Sequence, residues 1–399
     1  MIIAARRTKG GQITQSTRLT RDLPRSGRPA GSALPPGTTS VSQTLRSPQP
    51  RNDPAVTLPS APALPAGQWL PEQQGHRVWW AGGGAATGLP VLVVHGGPGG
   101  QSRPEPARWF DGLPVRWLML DQRGCGRSEP AGATAASGLP ELLDDIERLR
   151  EALGLERWAL AGGSWGARVA LAYAARHPAR VDGLMLRSPF LGTLAETRRY
   201  IAPWSNWLGA AGRQGLGPEA ADAVHSLYHG RTESFIGDSG LTRGACLAAD
   251  AVVLAWGAFD DAQSAPGGVA ASGARWSEPS AAPTPAQRAS WAVHVQGALG
   301  DWGERDGVPR GLVLPRLAAG APVELIWGEQ DATCDPASAR ALAAALAESG
   351  LAVRSCGVAG AGHRMGDPLL APRLRAVAQG WVASLLAQPD ASSRQRSLR

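Results

Sequence analysis

Residues 158–166 read Trp158-Ala159-Leu160-Ala161-Gly162-Gly163-Ser164-Trp165-Gly166. The first half is a short apolar run closed by glycine, the pattern of a strand buried on both faces. The second half fits G-x-S-x-G, in which a serine sits on a sharp turn between a strand and a helix. Such a turn strains the backbone and exposes the hydroxyl, and the flanking glycines relieve crowding where a larger side chain would clash. The plainer reading is a Gly-Ser turn with no chemistry. It loses ground once partners for the serine are found further along the chain.

Outward from this stretch, Pro90–Val94, Trp117–Leu120, Gly183–Leu186 and Val323–Trp327 also read as buried strands. Leu139, Leu142, Leu143, Ile146, Leu149 and Leu153 recur at three- and four-residue spacing, which predicts an amphipathic helix with Asp145, Glu147 and Arg150 exposed. A second predicted helix follows Ser164 and ends near His177-Pro178. Strand and helix in alternation imply a mostly parallel sheet covered on both faces. The alternation stops over residues 191–310, where tryptophans and broken helical patterns predict an inserted, mainly helical cap domain. It resumes with the strand at 323–327, a helix over 336–348, a short strand near 352–355 and a last helix over 369–386. The core is therefore expected over 66–190 and 311–388, with a frayed tail over 389–399.

Composition removes several classes. With 43% hydrophobic and 18% charged residues the balance is that of a soluble protein, and no stretch approaches the ~20 apolar residues of a membrane span. The net charge of +7 is confined to residues 1–60, where nine basic and two acidic residues lie in Pro/Ser/Thr-rich sequence. That predicts a disordered arm over 1–65, and no nucleic-acid groove in the folded core. Lys9 is the sole lysine, so a P-loop, Schiff-base or kinase-type lysine has no candidate in the folded region. Cys125, Cys246, Cys334 and Cys356 are widely spaced, and the Arg6-Arg7 pair is not followed by an apolar segment. Reduced thiols in a cytoplasmic protein without an export signal are the expectation, and neither a metal nor a cofactor signature is present.

A serine hydroxyl needs a base, and the base an orienting carboxylate. Asp331 follows the strand that ends at Trp327-Gly328, and His363 ends the glycine-rich Ala359-Gly360-Ala361-Gly362-His363. Ser164, Asp331, His363 is the chain order of the α/β hydrolases, and the fold expected is an α/β-hydrolase core with an inserted helical cap. Asp335, before Pro336, is the better helix-cap candidate, and His225 with His229 lacks a third ligand and reads as a cap-helix face. Donors for the oxyanion are expected from the backbone N–H of Trp165 and from Gly97 in His95-Gly96-Gly97-Pro98-Gly99-Gly100.

Taken together, this loop, Asp121-Gln122-Arg123-Gly124-Cys125-Gly126-Arg127-Ser128, Asp145–Arg150, the Ser164 turn, Gly328-x-x-Asp331-x-x-Cys334 and Gly360–His363 resemble the prolyl aminopeptidases (proline iminopeptidases). The likeness covers roughly 75–190 and 320–385. It implies a serine peptidase that releases N-terminal proline and holds the substrate's ammonium with cap carboxylates. Trp256-x-x-Phe259-Asp260-x-Ala262-x-Ser264 is similar to the family's Trp-x-x-Trp-Glu-x-Ala-x-Ser, which puts Asp260, with Trp256 and Phe259, in the substrate pocket. Asp260 is one methylene shorter than the family's glutamate, and Ala292 stands where the family has a second acid.

The leading expectation is thus a serine hydrolase acting on a small peptide or acyl substrate. An esterase, lactonase or amidase with an altered cap is the rival enzyme, and a non-catalytic ligand-binding protein the rival class. Epoxide hydrolase or dehalogenase chemistry is disfavoured, because those enzymes carry an aspartate nucleophile where Ser164 stands.

Overall fold

The apolar runs pair into one eight-stranded sheet in a computed structural model that describes residues 63–229, 243–300, 304–305, 308–309 and 314–388. Most of the predicted arm and all of the tail from 389 lie outside the described residues. The strands are β1 (Gln68–Trp69), β2 (Trp79–Gly84), β3 (Leu89–Val94), β4 (Val115–Leu120), β5 (Trp158–Gly163), β6 (Val181–Arg187), a separate hairpin of β7 (Glu304–Arg305) and β8 (Val308–Pro309), then β9 (Pro322–Gly328) and β10 (Ala352–Val358). Their order is β1-β2-β4-β3-β5-β6-β9-β10. Pairing from β4 through β10 is parallel, while β1 and β2 run antiparallel at one edge.

That order positions the site. The chain leaves β3 for β4 on one side and then crosses back to β5 on the other, so β3 pairs with both. A reversal of this kind opens a crevice at the carboxyl ends of the two strands. The loop after β3 begins at His95 and the turn after β5 is Ser164.

The helices are α1 (Leu139–Ala152), α2 (Trp165–Arg176), α3 (Leu194–Ile201), α4 (Trp204–Leu216), α5 (Pro218–Tyr228), α6 (Arg243–Ala248), α7 (Asp250–Gln263), α8 (Gly268–Ser272), α9 (Pro285–Gly300), α10 (Pro336–Glu348) and α11 (Leu370–Leu386). The stripe of α1 packs with α2 on one face of the sheet, against Leu92, Leu118 and Leu160. On the other face α11, through Leu374 and Trp381, and a 3-10 turn through Trp109 and Phe110 cover Val91, Val93 and Met119. Among the described residues no helix is long and apolar enough to cross a membrane.

Between β6 and β9 the described chain is mostly helical. Thr193 opens α3 with a capping box, accepting from the Glu196 N–H at 3.1 Å while Glu196 accepts from the Thr193 N–H at 3.0 Å. Trp204, Trp207 and Phe259 then pack with ring centroids 5.2–5.6 Å apart. These rings belong to the same buried cluster as Leu92 and Leu160 of the sheet, and all described residues fall in one compact unit, Ala55–Arg399. The helical insertion therefore shares its core with the sheet.

Strand β2 was not predicted from sequence, and its composition explains why. Trp79-Trp80-Ala81-Gly82-Gly83-Gly84 lacks the branched side chains that mark a strand. The glycines serve a close approach instead: Gly83 pairs with Trp117, whose indole occupies the space a Cβ at Gly83 would need.

Candidate active site

Ser164 joins β5 to α2 with φ 56° and ψ −124°, a conformation an L-residue adopts only under constraint. The constraint comes from both sides. Its N–H donates to the Arg187 carbonyl at 2.9 Å, and its own carbonyl accepts from Ala167 at 3.0 Å and Phe190 at 3.2 Å. A Cβ at Gly162 would strike the Gly166 carbonyl, and one at Gly166 would strike the Val94 carbonyl, so only glycine lets the turn close this tightly. The hydroxyl is thereby held at the amino end of α2, where the helix dipole favours negative charge.

Asp331 lies on the loop after β9 and is 1% exposed. One carboxylate oxygen accepts from the N–H groups of Thr333 at 2.9 Å and Cys334 at 2.8 Å; the other is 2.8 Å from His363 Nδ1. Burial pushes this carboxyl up, but the neighbouring His363 ring and the Cys334 N–H outweigh it and hold it below its usual range. An ionised Asp331 requires a proton on His363 Nδ1, which leaves Nε2 as the basic nitrogen. Arg187 Nη1 donates to the His363 carbonyl at 2.5 Å, and the His363 N–H donates to the Ser264 carbonyl at 3.1 Å, so the histidine loop is anchored to β6 and to the end of α7.

Ser164 and His363 line one cavity of about 300 Å³, together with Gly96, Gly97, Trp256 and Asp260. Tyr200, Tyr228 and His294 also line it. Asp260 accepts the Tyr200 hydroxyl at 2.7 Å, and burial raises its carboxyl above the usual value against that bond. The Tyr228 hydroxyl is 2.5 Å from His294 Nε2, and burial lowers the imidazole to about 4, so His294 is neutral and accepts this proton. Cys334 also lines the cavity, its sulfur 3.7 Å from Ser164 Oγ. Burial pushes that thiol well up, which keeps it protonated beside the serine.

The sequence-predicted residues do not all face this space. Asp331 stands behind His363, and the Trp165 side chain is buried, donating its indole N–H to Gln122 at 3.0 Å, so its backbone N–H at the start of α2 is the group the oxyanion expectation concerns. Phe259 corrects the reading that placed it in the substrate pocket. It is fully buried against Tyr200, Trp204 and Trp207 and does not line the cavity. Trp256 and Asp260, four residues apart, both reach the cavity from α7, whereas Phe259, the residue before Asp260, turns its ring to Trp204 and Trp207 of α4. Tyr200, Tyr228 and Arg187 escaped the sequence reading. The chain has three tyrosines, two of which line this cavity, but their rarity alone marks no site in the sequence.

The profile described as alpha/beta hydrolase fold matches residues 90–365. The proline iminopeptidase of Neisseria gonorrhoeae is 42% identical over 138 residues, 35% of this chain and 43% of that protein. The proline iminopeptidase of Arabidopsis thaliana is 38% identical over 152 residues, 38% of each chain. The chain thus spans less than half the length of either relative it matches. The crystal structure of proline iminopeptidase from Mycobacterium smegmatis aligns over 81% of this chain and 99% of its own, with 18% identity and a TM-score of 0.45.

Proposed function

Because the chain belongs to the alpha/beta hydrolase fold family, we propose that it is a serine hydrolase with Ser164 as nucleophile, His363 as base and Asp331 as the carboxylate that orients it. Its substrate is a peptide with a free N-terminal proline or another small residue. The observation that carries this is the meeting, in one cavity, of a positive-φ serine with a histidine whose Nδ1 is 2.8 Å from a buried, ionised aspartate. His363 takes the serine proton as Oγ attacks the carbonyl, and the N–H groups of Trp165 and Gly97 receive the developing oxyanion. The C–N bond then breaks, the leaving nitrogen takes the proton from His363, and water hydrolyses the acyl-enzyme by the same route. Asp260 receives the substrate ammonium, with Trp256 as an apolar wall.

The likeness to proline iminopeptidases supports the prolyl assignment. One observation favours an esterase or amidase instead: with alanine at 292, Asp260 is the one carboxylate among the residues lining this cavity. A single experiment separates the two. Steady-state hydrolysis of a free prolyl arylamide, its N-acetyl form and an aryl ester is measured for wild type and Ser164→Ala. Turnover of the free amide alone, abolished in Ser164→Ala, is expected. Ester cleavage without amide cleavage keeps the triad and discards the peptide substrate. Asp331→Asn is expected to lower kcat about 10⁴-fold by allowing the wrong imidazole tautomer.

A further inference from the structure

A second cavity of about 670 Å³ adjoins the first, more than twice its size. The two share Gly96, Gly100, Arg187, Trp256, Asp260 and Ser290, so they are one space narrowed at a waist. Ser164 and His363 face the smaller part, while Gly163, immediately before Ser164, and Met365, two residues after His363, face the larger. The bond to be broken therefore lies near the waist. The smaller part is lined by Tyr200, Tyr228 and His294, and its size suits one small residue and its ammonium beside Asp260. Whatever follows that residue must pass into the larger part.

We propose that the larger cavity is the chamber for the leaving portion of the substrate, and that it selects short peptides whose second residue is bulky and apolar. This rests on the hydrolase reading above. The walls beyond the waist include half-buried Met365 and exposed Pro285 and Ala286, which offer apolar contact, and no carboxylate. Besides Asp260 at the waist, the charged residues lining the chamber are both cationic: Arg187, also at the waist, and exposed Arg103 further out. Arg187 gives Nη1 to the His363 carbonyl, and its remaining N–H groups have no acceptor among the described residues. They are placed to meet the carbonyl oxygens of a departing peptide. Arg103 has no ion-pair partner among the described residues and complements a free C-terminal carboxylate.

The test uses Gly257, which lies within α7, lines the larger cavity and not the smaller, and has nothing within 4 Å of an added Cβ. Gly257→Phe adds an aromatic ring to the chamber wall and narrows the chamber, and replacing glycine inside a helix does not weaken the helix. Values of kcat/KM are measured for proline amide, Pro-Gly-Ala and Pro-Phe-Ala with both proteins. Wild type is expected to favour Pro-Phe-Ala over Pro-Gly-Ala by about tenfold or more, as a filled apolar subsite does. In Gly257→Phe that ratio is expected to collapse toward one. Equal rates on the two tripeptides in wild type, or a preference that survives Gly257→Phe, overturns the chamber while leaving the hydrolase intact. Absence of Ser164-dependent turnover of proline amide overturns the peptidase reading itself, and the chamber with it.

Discussion

Asp260 holds a carboxylate in a cavity walled by Tyr200, Tyr228, Trp256 and His294. Burial raises its carboxyl, with the Tyr200 hydroxyl opposing. An acid whose pKa is higher in the folded than in the unfolded chain favours folding below the unfolded value, and that contribution is lost as pH rises through the raised one. Folding therefore opposes its ionised form at neutral pH. Asp260→Asn is expected to raise Tm at neutral pH and to leave it nearly unchanged in strong acid, which thermal unfolding at the two conditions checks. The same substitution is expected to raise KM for a free prolyl amide by tenfold or more, since an ammonium loses its partner. In the wild type that KM is expected to climb as pH falls through the raised pKa, earlier than for an ordinary carboxylate. An aryl ester should show neither change.

At the scale of elements, two loops and one helix end must be held in register for the proposed oxyanion donors to work. Gln122, in the loop just after β4 and 2% exposed, does this with three bonds. Its side chain donates to the His95 carbonyl at 2.9 Å and accepts from the Trp165 indole at 3.0 Å, and its N–H donates to His95 Nε2 at 3.0 Å. His95 Nδ1 must then carry the proton it gives to the Gly96 carbonyl at 2.7 Å, and burial, which lowers this imidazole, keeps it neutral. Gln122→Leu retains the volume and orphans a buried carbonyl and an indole N–H. Loss of kcat by about tenfold with little change in KM is expected, the size of one buried hydrogen bond. Circular dichroism guards against simple unfolding. The motif from Asp121 to Ser128 was legible as sequence, but this bridging role was not, because it depends on β3, β4 and β5 lying side by side.

Across the whole molecule, the helical insertion and the sheet share one buried cluster running from Leu160 to Trp204, Trp207 and Phe259. A shared core implies shared cooperativity. Thermal unfolding is expected as one transition seen alike by far-UV dichroism and by tryptophan fluorescence. Phe259→Ala, which empties the centre of the aromatic cluster, is expected to cost about 3–5 kcal/mol and to lower that single Tm. Two separate transitions, with only the earlier one moved by Phe259→Ala, would refute this.

The amino-acid order alone determined the elements, because periodicity and turn chemistry are local: the stripe of α1, the buried runs of β3, β5, β6 and β9, and the glycines that let Ser164 take a positive φ all lie within a few residues of what they dictate. It also determined which serine, aspartate and histidine to watch, since each follows a strand of one parallel sheet. Tertiary structure alone decided the rest. It turned Phe259 into the core while Trp256 and Asp260 faced the cavity, and it added strand β2 beside β4, whose glycines mean nothing until Trp117 packs on them. Tyr200, Tyr228, Arg187 and His294 come from four separate elements, and their convergence is set by how helices pack across a sheet, a property of distant contacts that no short stretch encodes.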